Sequence, residues 1–285
     1  MRDRFFSSRL KSARFGHTAH IGLSPRGIAV LRSSWRGRPE QLAEHRLTED
    51  AVAAPERLAP QLRTILSEAG CDGLPATIVL ADEWVRLFIA TPPQLAGRLL
   101  DCRASAAMRF QMLYGEPIDG WQLEADWDAR HPFLACAVPL ALLHALRQVA
   151  QECSLQLMSV APHFIAAWNR WCNKLQAGAW FGVVNEHLLT VGMIDRQHLC
   201  AVRTATLPND ACNDPHWLNA YVARESLRMN LSLPQQIQLC GQVPDRWTMQ
   251  AKNALPCTRL DTGQDGLAHD PRSSEVGLAW SGAYR

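Results

Sequence analysis

Residues 180–208 read WFGVVNEHLLTVGMIDRQHLCAVRTATLP, three apolar runs parted by two short polar turns, and an earlier stretch at 20–33, HIGLSPRGIAVLRS, carries the same first two beats. In the later copy Phe181 to Val184 and Leu188 to Ile194 flank the turn Asn185-Glu186-His187. In the earlier one Ile21 to Leu23 and Ile28 to Leu31 flank Ser24-Pro25-Arg26-Gly27. Short β-rich runs around turn residues are the hairpin signal. A chain that opens each half with the same hairpin reads as two related halves facing a cleft.

Outward from these hairpins the pattern alternates strands and helices. Gln41 to Thr48 reads as a third strand, and Pro55 to Ala69 as a helix with Leu58, Leu62, Ile65 and Leu66 on one side and Gly70 as its stop. Thr77 to Leu80 and Trp84 to Ala90 read as two strands around the turn Ala81-Asp82-Glu83. A helix follows Pro92-Pro93, with Leu95, Leu99, Cys102, Ala106, Phe110 and Leu113 inward and Arg98, Arg103 and Arg109 on its solvated rim. Strands over Asp119 to Trp127 and Phe133 to Val138, a helix over Pro139 to Glu152, a strand over Leu155 to Val160 and a helix over Pro162 to Leu175 complete an α/β half. The second half adds a helix from Pro215 to about Asn230, a strand over Gln236 to Leu239, a brief helix over Pro244 to Asn253 and a strand over Cys257 to Leu260. The remainder reads as loop with a short closing helix near Val276 to Trp280. The expected domains are a basic tail (1–16), a first lobe (17–170) and a second lobe with a C-terminal tail (171–285).

With 285 residues, 47% of them hydrophobic, the chain can bury a substantial core. A net charge of +2, from 29 basic and 27 acidic side chains, gives no long-range field to recruit nucleic acid. The nine cysteines include no CxxC pair and are odd in number, which fits free thiols packing as small hydrophobes in a reducing cytoplasm. No apolar run approaches the roughly 20 residues of a spanning helix. Service to a membrane is expected from one side, through a partner. The tail MRDRFFSSRLKSARFG sets five basic residues against one acid with four large apolar side chains interleaved, a composition suited to anionic lipid, to a partner or to a loose end.

Four blocks in order, TIVLADEWVRLFIATPP (77–93), ACAVP (135–139), SVAPHF (159–164) and RTATLP (203–208), resemble the PilM-type proteins of type IV pilus assembly. They are also similar to the MshI proteins and the cytoplasmic domain of the type II secretion protein GspL. The resemblance spans roughly Gly16 to Leu260. It implies an actin-like (ribonuclease H-like) α/β fold, two-lobed, with duplicated mixed sheets flanked by helices and a central cleft. In nucleotide-binding members of that class the two hairpins grip the phosphates, carboxylates beside them hold Mg²⁺, and a glycine pair admits the adenosine. Carried onto this chain, those positions are Gly22, Ser24, Arg26 and Gly27 in the first hairpin, Asn185 and Glu186 in the second, and Gly241 for the nucleoside. The chain departs from the pattern at all three places. No Asp or Glu lies between Phe15 and Pro39, Asp195 sits at the far end of its strand, and Leu239-Cys240-Gly241-Gln242 has one glycine where a pair belongs. A hard cation needs carboxylate oxygens, so no catalysis and no bound ATP, Mg²⁺ or other cofactor is expected.

Other candidates read as structural. His17 and His20 point to opposite faces of a strand and lack a third ligand, so no metal site is read. His187 and His198 read as turn and surface residues, Asp82 and Glu83 as the solvated tip of a hairpin, and Arg26 as meeting phosphate or water. Ser24 and Ser33 lack the GxSxG elbow of a nucleophile. Among ten tryptophans, Trp168 and Trp171 read as core and Trp121 and Trp127 as edge residues.

The resemblance therefore implies a non-catalytic cytoplasmic scaffold of a pilus or type II secretion platform, peripheral to the inner membrane. Its partner would be the cytoplasmic N-terminal segment of a PilN-like single-span protein, with an assembly ATPase as a further candidate. The alternatives are an active ATPase or kinase of the same fold, in which Glu186 or Asp195 replaces the missing carboxylate, and a building block of filaments.

Overall fold

The computed structural model describes residues 16–34, 38–48, 55–94, 98–196, 198–249, 254–261 and 273–283. Nearly all of the basic tail and most of the 261–273 loop therefore lie outside the described residues, as does Leu95.

The first sheet has strand order β3-β2-β1-β4-β8, from β1 (His17–Leu23), β2 (Gly27–Ser34), β3 (Glu40–Arg46), β4 (Pro75–Leu80) and β8 (Gln156–Pro162). The second repeats the plan as β11-β10-β9-β12-β13, from β9 (Ala179–Asn185), β10 (Leu188–Asp195), β11 (His198–Thr206), β12 (Gln236–Gly241) and β13 (Cys257–Arg259). Each begins with an antiparallel meander whose first strand then pairs in parallel with later ones. The two hairpins occupy equivalent places in the two sheets.

Both faces of the first sheet are covered, which is why its strands read as unbroken apolar runs. Ile28, Val30, Ile78 and Leu80 face α1 (Pro55–Glu68) and α3 (Leu140–Glu152), meeting Leu58, Leu62, Leu142 and Leu146. The alternating residues Ala29, Leu31, Val79 and Ala81 face α7 (Ser274–Ala283), where Val276, Leu278 and Ala279 cover them. This helix, placed by sequence in the second lobe, completes the first lobe. The correction has a simple cause: the lower face of β1, β2 and β4 is apolar, and without α7 it would lie in water. Gly22 permits the contact, since a Cβ there would stand 2.0 Å from the Glu275 carbonyl oxygen and 2.5 Å from the Ala279 nitrogen.

Between the sheets runs α4 (His163–Trp171). Its Phe164 and Trp168 meet Phe181 of the second sheet, with centroids 5.6 and 5.7 Å apart, while Phe164, Ile165 and Ala167 belong to the same core as the first sheet. Trp168 and Trp171 pack on that core as partly buried side chains. The outer face of the second sheet is closed by α5 (Trp217–Met229) and the short α6 (Asp245–Thr248), through Leu218, Tyr221, Val222 and Trp247. The start of α5 falls two residues after the expected Pro215, and α6 ends at Thr248.

Strands β4 and β5 (Arg86–Ala90) do not form the expected hairpin. Both edges of β4 are taken, by β1 and β8, so the chain turns away at Asp82–Trp84. β5 then builds a separate antiparallel sheet, order β5-β7-β6, with β6 (Trp121–Ala125) and β7 (Phe133–Pro139). α2 (Leu99–Tyr114) lies on it through Cys102, Ala106 and Phe110, which meet Phe88, Phe133 and Ala135. Leu99 and Leu113, expected inward, are 49% and 38% exposed, because three strands are too narrow to cover a wider arc of the helix. Trp121 lies on the edge strand β6, and Trp127 follows it in a left-handed conformation with φ 37°.

Gly22→Ala forces a methyl group into the α7 backbone, and the expected cost is about 1–3 kcal/mol. Urea unfolding should show this loss, and limited proteolysis should cut faster near 273–283. An unchanged midpoint would mean that α7 docks elsewhere.

Candidate functional site

The two hairpin turns and the N-terminus of α7 converge at one end of the cleft between the sheets. In the first turn the Ser24 hydroxyl accepts from the Arg26 and Gly27 amides at 3.0 and 3.1 Å and donates to Glu275 Oε1 at 2.5 Å. Gly27 lies under the same carboxylate, since a Cβ on it would be 3.1 Å from Glu275 Cδ. In the second turn Asn185 Oδ1 accepts from the Ser274 hydroxyl at 2.8 Å, and the Glu186 amide donates to Gln242 Oε1 at 2.7 Å. Glu186 takes a left-handed φ of 50°. The Gly241 amide donates to Asp261 Oδ2 at 3.0 Å, and with φ 87° and the Val184 oxygen 2.2 Å from any Cβ, only glycine fits there. Gly22 belongs to the α7 contact, so all seven positions named from the resemblance lie around this end of the cleft.

The physical consequence is a saturated rim. Amides that could cradle an anion are already bound by Ser24, Gln242 and Asp261, and a carboxylate, that of Glu275, sits against the first turn. Glu275 is 7% exposed and Ser24 3%. Outside this pair the hairpins are tied across the cleft by an ion pair between Arg26 and Glu186. His187 joins the clasp, with Nε2 2.7 Å from Glu83 Oε1 and 3.4 Å from the Arg26 guanidinium. Arg26 thus meets carboxylate where phosphate or water was expected, and Glu83 and His187 bridge elements where each was expected to meet solvent. His20 is likewise buried, with Nδ1 2.8 Å from Thr77 Oγ1 and Nε2 2.7 Å from Ser33 Oγ.

Asp82 departs furthest from its expected place at a solvated hairpin tip. It is buried, 6% exposed, where β4 ends against the start of α4. Its Oδ1 accepts the Phe164 amide at 3.0 Å, and the His163 amide and the Thr190 hydroxyl also bond to it. A carboxylate suits the positive end of a helix. Burial nevertheless pushes its pKa up to about 6, against the lowering effect of these bonds. Its neighbour His163, also buried, is pushed down to about 4 and stays neutral. Asp261, at the end of β13, is raised by burial as well. The usable signal was position: a polar residue at the carboxyl end of a parallel strand in an α/β sheet is where sites form. Among the described residues no three His, Cys, Asp or Glu side chains group as a metal site.

No protein-family model matches the chain, and no curated protein is similar to it in sequence. Solved structures are similar to it in fold. The PilM–PilN type IV pilus biogenesis complex superposes with TM-score 0.61 at 13% identity, covering 94% of this chain and 99% of that one. A Bacteroides thetaiotaomicron protein of unknown function with an actin-like ATPase fold gives 0.59 at 12% identity over 86% and 91%. The fold is actin-like. The cytoplasmic domain of EpsL, an inner-membrane component of the Vibrio cholerae type II secretion system, gives 0.55 at 14% identity over 94% of each chain. The actin-like plan accounts for the duplicated sheets. The β5-β7-β6 sheet with α2 stands beside them as an insertion in the first half.

Asp82 and His163 make opposite contributions to pH dependence. The raised Asp82 pKa gives stability that is present below pH about 4 and lost as pH rises through about 6. The lowered His163 pKa means that the unfolded chain binds the extra proton between about 4 and 6.5, so stability rises with pH across that window. Each is worth about 3 kcal/mol at full extent, and together they nearly cancel. Asp82→Asn should unmask the histidine: urea midpoints of the variant rise from pH 4 to 6.5 where those of the parent stay nearly level. A level profile in the variant would disprove the assignment.

Proposed function

We propose that this protein is a non-catalytic, cytoplasmic scaffold of a type IV pilus or type II secretion platform, held at the inner membrane by a membrane-anchored partner. The observation that carries the non-catalytic reading is the Glu275 carboxylate bonded to Ser24 in the first hairpin turn. A phosphate brought there would meet a buried anion and amides already engaged, and repulsion at that range is costly in a low-dielectric cleft. Similarity of fold to the PilM–PilN complex and to the EpsL cytoplasmic domain supports the setting. Among the described residues no helix is long and apolar enough to cross a membrane, which fits attachment through a partner. The proposed partner is the cytoplasmic N-terminal segment of a PilN-like single-span protein. An assembly ATPase is a further candidate on the same platform.

A second reading, nucleotide binding, has one observation in its favour, the buried Asp82 at the end of β4 with its pKa near 6. The Glu186 carboxylate is already held by Arg26. Asp195 lies at the opposite end of β10 from the Glu186 turn, across from His198 in the β10–β11 register.

Thermal unfolding separates the two. A ligand at a hundredfold excess over its Kd adds about 2.7 kcal/mol to the folded state. Millimolar ATP with Mg²⁺ should leave the melting curve in place, and an upward shift of a degree or more would restore the nucleotide reading. Calorimetric titration with the cytoplasmic tail of a PilN-like neighbour should give saturable heat, and a flat trace would remove that partner.

A further inference from the structure

The second lobe carries a cluster of arginines that the cleft does not use. On α5, Arg224 and Arg228 stand one turn apart on the same side of the helix. Between them lies Glu225, whose side chain is only 5% exposed and whose Oε1 accepts from Arg228 Nη1 at 2.9 Å and from Arg224 Nε at 3.5 Å. Arg203 comes from β11, the outer strand of the second sheet. Its neighbours at alternate positions, Ala201 and Ala205, pack in the core under α5, so the Arg203 side chain leaves the same face. It reaches Met229 Sδ at 3.7 Å, and among the described residues it has no acidic partner.

The three arginines share one neighbour. Burial and then Glu225 push the Tyr221 hydroxyl up to about 12, and Arg224, Arg203 and Arg228 act in the opposite direction, so all three guanidiniums lie within electrostatic reach of that ring. Arg224 also lies over it, 5.4 Å from the centroid. A carboxylate taken out of water is costly unless its partners are well placed. Here it holds two guanidiniums in fixed directions while their outer N–H groups stay in solvent, the Arg224 and Arg228 side chains being 55% and 64% exposed. One acid against three bases leaves the cluster positive. Leu227, three residues after Arg224 and 83% exposed, adds an aliphatic side chain to the same rim.

We propose that Arg203, Arg224 and Arg228 form a docking site for an acidic segment of a partner protein, with Leu227 as its apolar contact. The planar guanidinium fork matches a carboxylate, and the Glu225 contact shows one carboxylate served by two of these arginines. An incoming Asp or Glu between Arg203 and Arg228 repeats that arrangement on the solvent side. Because Glu225 has fixed the two α5 side chains beforehand, little of their freedom remains to be lost on binding. Nucleic acid fits less well: Tyr221 is buried and offers no ring face to a base, and a net charge of +2 gives no field to draw in a phosphate backbone. A lipid surface would need an apolar ridge, where this rim has one leucine. The site lies on the outer face of the second sheet, and the inference does not rest on the proposed partner.

The test is fluorescence anisotropy of a labelled synthetic peptide, glutamates on either side of one leucine, titrated with the full chain, against the same peptide carrying glutamine for glutamate. Only the acidic peptide is expected to bind, and less tightly as salt rises. Arg203→Gln and Arg228→Gln should each weaken binding about fivefold, the loss of one exposed ion pair. Arg32→Gln, which removes an exposed arginine of the first lobe, should leave it unchanged, and circular dichroism checks that each variant is folded. The proposal is overturned by absence of saturable binding at millimolar peptide, by equal binding of the glutamine peptide, by binding that neither Arg203→Gln nor Arg228→Gln alters, or by an equal loss in Arg32→Gln. It also falls if the peptide is ignored while anionic vesicles or single-stranded DNA bind and are lost in Arg203→Gln, which would make phosphate the ligand.

Discussion

Two sheets facing one another across a cleft leave apolar faces that must be covered, and the structure depends on the two helices that do so. α4 fills the space through Phe164 and Ile165, which belong to one continuous core reaching from Leu58 to Phe181, with Trp168 packed against it. α7 covers the lower face of the first sheet, and it can come close because residue 22 has no side chain. Burial of apolar area is the dominant favourable term in folding, so these contacts set the distance between the hairpins. That distance decides what the cleft can hold. With Glu275 delivered by α7, a buried carboxylate stands against the first turn.

The polar groups follow from that packing. Once Asp82 is enclosed between β4 and α4, its carboxylate is held by the amides at the helix start and the Thr190 hydroxyl. Desolvation outweighs these bonds and the acid is left half-titrated near pH 6. On the outer side, where solvent screens the charges, Arg26, Glu186, Glu83 and His187 form a clasp whose geometry matters more than its energy. The hairpin end is therefore tied twice, by the buried Ser24–Glu275 pair inside and by partly exposed charges outside.

Much of this was legible in the residues. The duplicated hairpins are local structures, written in turn chemistry and apolar runs a few residues long, and both stand where the sequence put them. Helices α1 and α3 were readable from their one-sided periodicity. What sequence reasoning lost was non-local. Thr77 to Leu80 and Trp84 to Ala90 looked like partners because they are neighbours in the chain, yet β4 had already spent both edges on β1 and β8. Asp82 followed the same error, since a turn with two acids resembles a wet hairpin tip until its surroundings are known. Glu275 gave no signal at all, because nothing in a run of Gly, Ser and Asp tells that a carboxylate will meet a serine near the other end of the chain.

The bond between Ser24 and Glu275 joins positions 251 apart in sequence. The first sheet is thus completed by a helix far along the chain from its opening strands, and its lower face stays bare until that helix has been made. Contacts of such separation are slow to form because closing the loop costs entropy before any contact compensates for it. The N-terminal half is for this reason not an independent module. Severed from its last helix, it would expose Ala29, Leu31, Val79 and Ala81 as a ready surface for clumping with its own copies.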